Sequence, residues 1–187
     1  MYPNSAYANN TWEQASDELT HAFFACSTRR AARLLAAHAP TFLYQFTYKL
    51  DFPENAAIPE LGNYHTSELD FVFAQVWPPL VHTFSPLDLD MVEVFGAYWG
   101  NFVASGNPNV GDLAPPHPWP AFVAGAEEWN IQLELPLYAT ARLDEDVCDN
   151  AWDPFFEGLR AAGAARSGVA ARYPRLAKRA AAGGGQQ

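Results

Sequence analysis

The stretch from Thr41 to Tyr48 constrains the fold more than any other, because it is aromatic and apolar on both alternating faces and too short for a helix. A strand of that kind needs cover on both sides. The sequence therefore predicts an interior strand of an α/β fold, in which a few sheet strands carry packing helices. With 187 residues, 49% of them hydrophobic and 14% aromatic, the chain has material for one such core.

The elements around that strand follow from periodicity and punctuation. Asp17 to Ala37 reads as a helix with Leu19, Phe23, Ala31, Leu34 and Leu35 on one face. Arg29, Arg30 and Arg33 lie towards its C-terminal end, where positive charge suits the helix dipole. A loop rich in Pro, Asn and Gly, Phe52 to Asn63, follows the strand and leads into the polar segment Tyr64 to Phe73. That segment lies beyond the carboxyl end of a strand, where α/β proteins place chemistry. Ser85 followed by Pro86 starts a helix that Gly106 and Pro108 stop, with Met91, Phe95, Tyr98, Trp99, Phe102 and Val103 at helical spacing. Short strands are expected at Ile131 to Leu135 and Leu137 to Ala141. A last helix is expected over Asp144 to Arg160, with Val147, Cys148, Trp152, Phe155, Phe156 and Leu159 as its apolar side.

Charge narrows the function classes. All 21 acidic residues precede position 161, whereas Arg166, Arg172, Arg175, Lys178 and Arg179 follow it, so an acidic body carries a basic, Ala/Gly/Arg-rich tail. An acidic body has no electrostatic means of holding nucleic acid. No run approaches the about 18 apolar residues of a membrane span, and the N-terminus shows no secretion signal. Asn9, Asn10 and Thr11 form a glycosylation sequon, whose weight depends on whether the parent protein is secreted.

The two cysteines, Cys26 and Cys148, are too far apart in sequence for a short metal-ligand motif, so no metal site and no cofactor are expected. By composition they read as buried thiols, and a disulfide between them would close a long loop. Among the histidines His21, His38, His65, His82 and His117, His65 stands out. It follows Gly62 in a strand-to-helix loop and precedes Glu68, a carboxylate able to orient a ring or its loop, and it is suited to shuttling a proton. The plainer reading of Glu68 is a first-turn helix carboxylate placed for the dipole. None of the serines lies in G-x-S-x-G, so the nucleophile elbow is absent, and the closeness of Ser67 to His65 in sequence does not supply the geometry of a catalytic pair.

Several motifs in one order carry a resemblance. Phe24 to Arg30, the aromatic strand, Leu61 to Phe73, Tyr98 to Asn109, Trp119 to Phe122 and Val147 to Trp152 together resemble the C-terminal portion of the type-B carboxylesterases, the cholinesterase-like α/β hydrolases. The resemblance covers about residues 15 to 160, between an N-terminal extension at 1–14 and a low-complexity tail at 161–187. It implies that His65 takes the place of the triad histidine, that Glu68 is the supporting carboxylate of the histidine loop and not the triad acid, and that Cys26 and Cys148 are the two ends of a disulfide. Ser27 stands where the family usually has proline, and Asn63 and Thr66 vary its glycine-rich loop.

The family order is serine, acid, histidine, so a segment like this is expected to hold histidine alone. The resemblance thus implies a truncated carboxylic ester hydrolase segment that is inactive by itself, takes an ester substrate only when the N-terminal part is supplied, and pairs with a complementing chain or aggregates through an exposed sheet edge. A non-catalytic interaction module and a fragment of an incomplete gene are the rival readings. The matched cysteines point to an oxidising, extracellular setting for the parent, although this chain shows no targeting segment.

Overall fold

The computed structural model describes residues 2–50, 62–76 and 83–167, with side chains to residue 163. The loop expected at 52–63 lies largely outside the described residues, as do His82 and most of the tail. A three-stranded sheet is built from β1 (Leu43–Phe46), β2 (Trp129–Leu133) and β3 (Tyr138–Ala141) in the order β1-β2-β3. β1 and β2 are parallel, with Leu43 opposite Asn130, and β3 returns antiparallel to β2. The helices are α1 (Thr11–Thr20), α2 (Cys26–Ala36), α3 (Leu69–Val72), α4 (Pro86–Ser105), α5 (Glu145–Val147) and α6 (Asp153–Ser167). Of two wide π turns, His21–Ala25 ends just before Cys26 and Cys148–Trp152 begins with Cys148.

β1 meets α4 through a ladder of rings. Phe42 packs on Phe102 at 6.2 Å, Tyr44 on Trp99 at 5.4 Å and Phe46 on Phe95 at 5.8 Å between centroids. Each step of two residues along the strand matches three or four back along the helix, which is how a period of two and a period of 3.6 stay in register when the elements run antiparallel. Phe71, Tyr98, Ile131 and Leu133 complete this core and are at most 1% exposed. The opposite face of β1 is covered too, since Leu43 packs with Ala32 of α2 and with Phe122. Both faces of β1 are covered as expected, but among the described residues it is an edge strand and not an interior one.

α4 follows its sequence signals closely. The Ser85 side chain accepts from the Asp88 amide and the Asp88 carboxylate accepts from the Ser85 amide, a reciprocal cap, while Pro86 occupies the first turn. Gly106 closes the helix with φ 75°, a left-handed conformation that glycine adopts at no steric cost. Asp88 is wholly buried and also accepts from the Tyr48 hydroxyl at 2.9 Å.

Elsewhere the expectations need correction. The first helical stretch begins at Thr11, capped by the Asn10 side chain, rather than at Asp17. Its expected apolar face points outward: Leu19, Phe23, Leu34 and Leu35 are all more than half exposed, and the buried residues are Ala22, Cys26, Arg29 and Ala32. The π turn at His21–Ala25 inserts an extra residue between α1 and α2 and so rotates the face that follows. Val103, expected on the buried side of α4, is 84% exposed. β2 begins two residues earlier than predicted, and the last helical region divides into α5, a π turn and α6, which continues past Arg160 to Ser167. Of its expected apolar side, Cys148 is buried, whereas Phe155 and Leu159 are exposed.

Candidate active site

The His65 loop leaves β1 and re-enters the core at α3. Asn63 Nδ2 donates to the Phe46 carbonyl at 3.4 Å, holding the loop against the carboxyl end of β1. The Ser67 amide donates to the Tyr64 carbonyl and the Leu69 amide to the Thr66 carbonyl, folding 64–69 into consecutive turns. Phe71, 1% exposed, then anchors α3 among Phe46, Tyr48 and Phe95. Thr66 pays for this path: its φ of 77° is left-handed, a conformation that a β-branched residue adopts only under strain.

His65 itself is exposed, and its ring lies 4.8 Å from that of Phe24. An accessible imidazole held against an aromatic neighbour at the end of a parallel strand can accept and return a proton. Glu68 is half-buried; its backbone carbonyl accepts from the Phe71 and Val72 amides and so starts α3. No hydrogen bond joins Glu68 to His65 among the described residues. Its charge acts instead on Tyr44, whose hydroxyl is pushed up in pKa, first by burial and then by the Glu68 carboxylate. Ser67 is 2% exposed and its Oγ has no hydrogen-bond partner among the described residues. A cavity of about 330 Å³ beside it is lined by Tyr64, Thr66, Ser67, Leu69, Asp70, Phe73 and Gln75, and His65 does not line it.

Cys26 and Cys148 form a disulfide across 122 residues, both fully buried. Around it lies a dense ion cluster. Arg29, 1% exposed, donates from Nε and Nη2 to Glu128 at 3.1 and 2.9 Å and from Nη1 to Asp149 at 3.1 Å. Arg33 donates to the same two carboxylates, and Arg30 pairs with Asp153. Burial alone would raise the Glu128 carboxyl, but the bonds from Arg33 and Arg29 outweigh it and hold the group below its ordinary value. The arginines assigned to a helix dipole thus bind acids from the far end of the chain. Within the same region His21 is held above its ordinary pKa, mainly by Asp144, 3.6 Å away.

Phe24 ties the two regions together, because it lies two residues before the disulfide and touches His65. Sequence reasoning missed it: in the expected helix it is one of two adjacent phenylalanines, and nothing local shows that the π turn aims it at the loop. Among the described residues no group of three or more His, Cys, Asp or Glu side chains is placed to hold a metal ion, and no helix is long and apolar enough to cross a membrane.

The profile of the carboxylesterase family matches residues 2–148. Carboxylesterase 1D of Rattus norvegicus is 33% identical over 130 residues, which are 69% of this chain and 21% of that protein. Liver carboxylesterase 1 of Mus musculus is 31% identical over 125 residues, 67% of this chain and 20% of that one. Cocaine esterase of Homo sapiens is 29% identical over 122 residues, 65% of this chain and 21% of that one. Among solved structures, a thermophilic pNB esterase superposes with a TM-score of 0.59 at 18% identity, over 73% of this chain and 27% of that one, a likeness of fold. The chain spans about a fifth of the length of the curated relatives it matches.

Proposed function

Because the chain belongs to the carboxylesterase family and has the α/β-hydrolase fold, we propose that it is the histidine-bearing segment of a serine-dependent carboxylic ester hydrolase. His65 is its general base and acid. The observation that carries this reading is the placement of His65, exposed on a tightly turned loop tied to the carboxyl end of a parallel strand and backed by Phe24. In such a reaction the imidazole takes the proton of an attacking serine hydroxyl and returns it to the leaving alcohol, while an acid holds the imidazole tautomer and backbone amides stabilise the oxyanion. Here His65 performs the proton transfers, Glu68 supports the loop by starting α3, and the Cys26–Cys148 bridge fixes Phe24 behind the ring. The serine, the acid and the oxyanion donors come from the part of a complete domain that precedes residues 15–160. The edge of β1 and the exposed Leu34 and Leu35 support docking of that part.

The test is hydrolysis of a p-nitrophenyl ester by the chain alone and after co-expression with the upstream portion of a carboxylesterase relative. Turnover is expected only with both pieces. Equal turnover by the chain alone, or none from a folded, stably associated pair, overturns the reading.

A further inference from the structure

The sequon at Asn9 is the only one in the sequence, and no catalytic role absorbs it. We propose that Asn9 is an N-glycosylation site whose first sugar packs against the ring of Tyr7. Three features of the structure carry this.

The first is local geometry. Ala8 and Asn9 have φ of 48° and 66°, and the Asn10 amide donates to the Tyr7 carbonyl at 2.7 Å. That is a tight type I′ reversal, and it brings Tyr7 close to the residues after Asn9. Asparagine tolerates the left-handed position well. The second is availability. Asn9 is exposed and its side-chain carboxamide makes no hydrogen bond among the described residues, whereas the side chain of Asn10, the middle residue of the sequon, is occupied in capping α1 by accepting from the Glu13 amide at 3.2 Å. Tyr7 is half-buried and stands at the start of that reversal, two residues before the acceptor; burial and then the Asp17 carboxylate push its phenol up to about 12. An aromatic side chain two residues before the acceptor, on the other arm of a tight reversal, gives the apolar face of a sugar a surface to stack on. The third is compartment. The buried Cys26–Cys148 bridge forms where the environment oxidises thiols, and the secretory lumen that does so also transfers glycans to Asn-x-Thr.

The chemistry is a glycosyl transfer from a lipid-linked oligosaccharyl diphosphate. The bond formed joins Asn9 Nδ2 to the anomeric carbon of N-acetylglucosamine. The sugar–diphosphate C–O bond breaks, and the diphosphate leaves with its electron pair as the amide gives up one proton. The occupied site lies one residue before α1 caps and leaves the cap intact.

The experiment is secretory expression of the full chain behind a cleavable leader in mammalian cells, with cell and medium fractions analysed together and leader removal recording entry to the lumen. The expected result is an upward mass shift that peptide:N-glycosidase removes, leaving the deamidation tag on Asn9. Thr11→Ala loses the shift and Thr11→Ser keeps it. Tyr7→Ala lowers occupancy and Tyr7→Phe retains it. Leader-free protein without the shift overturns the site, and equal occupancy in Tyr7→Ala overturns the role of the ring.

Discussion

Two regions of this molecule solve the same packing problem by opposite means. Around α2 and the Cys26–Cys148 bridge, cohesion is ionic and covalent: Arg29 and Arg33 bind Glu128 and Asp149 from segments far away in the chain. Around α4 it is mostly aromatic, with Phe71 against Phe95, Tyr98 against Trp119 and Trp99 joining the two pairs behind β1. The ionic region is specific but open to pH and redox change, because a buried charge deprived of its partner is costly. The aromatic region lies apart from the disulfide and rests on ring packing, with the buried Asp88 carboxylate in place of a cluster of ion pairs, so it depends less on both. His65 lies where they meet, with Phe24 reaching it from the first and α3 anchoring its loop in the second.

The largest expected effect comes from cutting the bridge. Cys26→Ser with Cys148→Ser should cost about 4–5 kcal/mol, given the length of the closed loop. A denaturant titration in oxidising and reducing buffer checks this: the native chain loses stability on reduction and the double variant does not respond.

Glu128→Gln leaves buried Arg29 short of its partner and should cost about 3–5 kcal/mol. The sign of its pH dependence follows from the depressed folded pKa. The Glu128 contribution is complete above the ordinary value of 4.5 and is lost as pH falls through the lower, folded value. Urea melts from pH 7 down to pH 3 should therefore show an acid-side loss that shrinks in the variant. Phe95→Ala should cost a similar amount, about 3–5 kcal/mol, from the wholly buried ring it deletes, with no acid-side component of its own. Equal pH dependence of the two losses would erase the distinction between the regions.

Thr66→Gly is the smallest change. It relieves a left-handed β-branched residue and should stabilise the loop by about 1 kcal/mol, visible as slower hydrogen exchange at 64–69.

The aromatic region was legible in sequence because its signals are local. Ser85, Pro86, Gly106 and the spacing of Met91, Phe95 and Tyr98 define α4 without knowledge of any partner. The ionic region was not, because Arg29 finds its acid 99 residues away and local sequence offers only the dipole as an explanation. There the assumption that leucines mark the buried face failed, and α2 buries an arginine while Leu34 faces out. The start of α1 was readable after all, since Asn10 with Glu13 is a capping signal. For the site, the position of His65 in a loop after a strand was legible, and its contact with Phe24 was hidden in a π turn that no spacing rule predicts.

The central claim is that His65 moves the proton in ester hydrolysis. The direct measurement is the rate of p-nitrophenyl ester cleavage by residues 15–160 joined to the upstream portion of a carboxylesterase relative, comparing His65 with His65→Ala, each with and without added imidazole. The account predicts a loss of about 10³-fold or more in the variant, partly restored by imidazole. A variant that cleaves the ester at nearly the rate of the parent would contradict it.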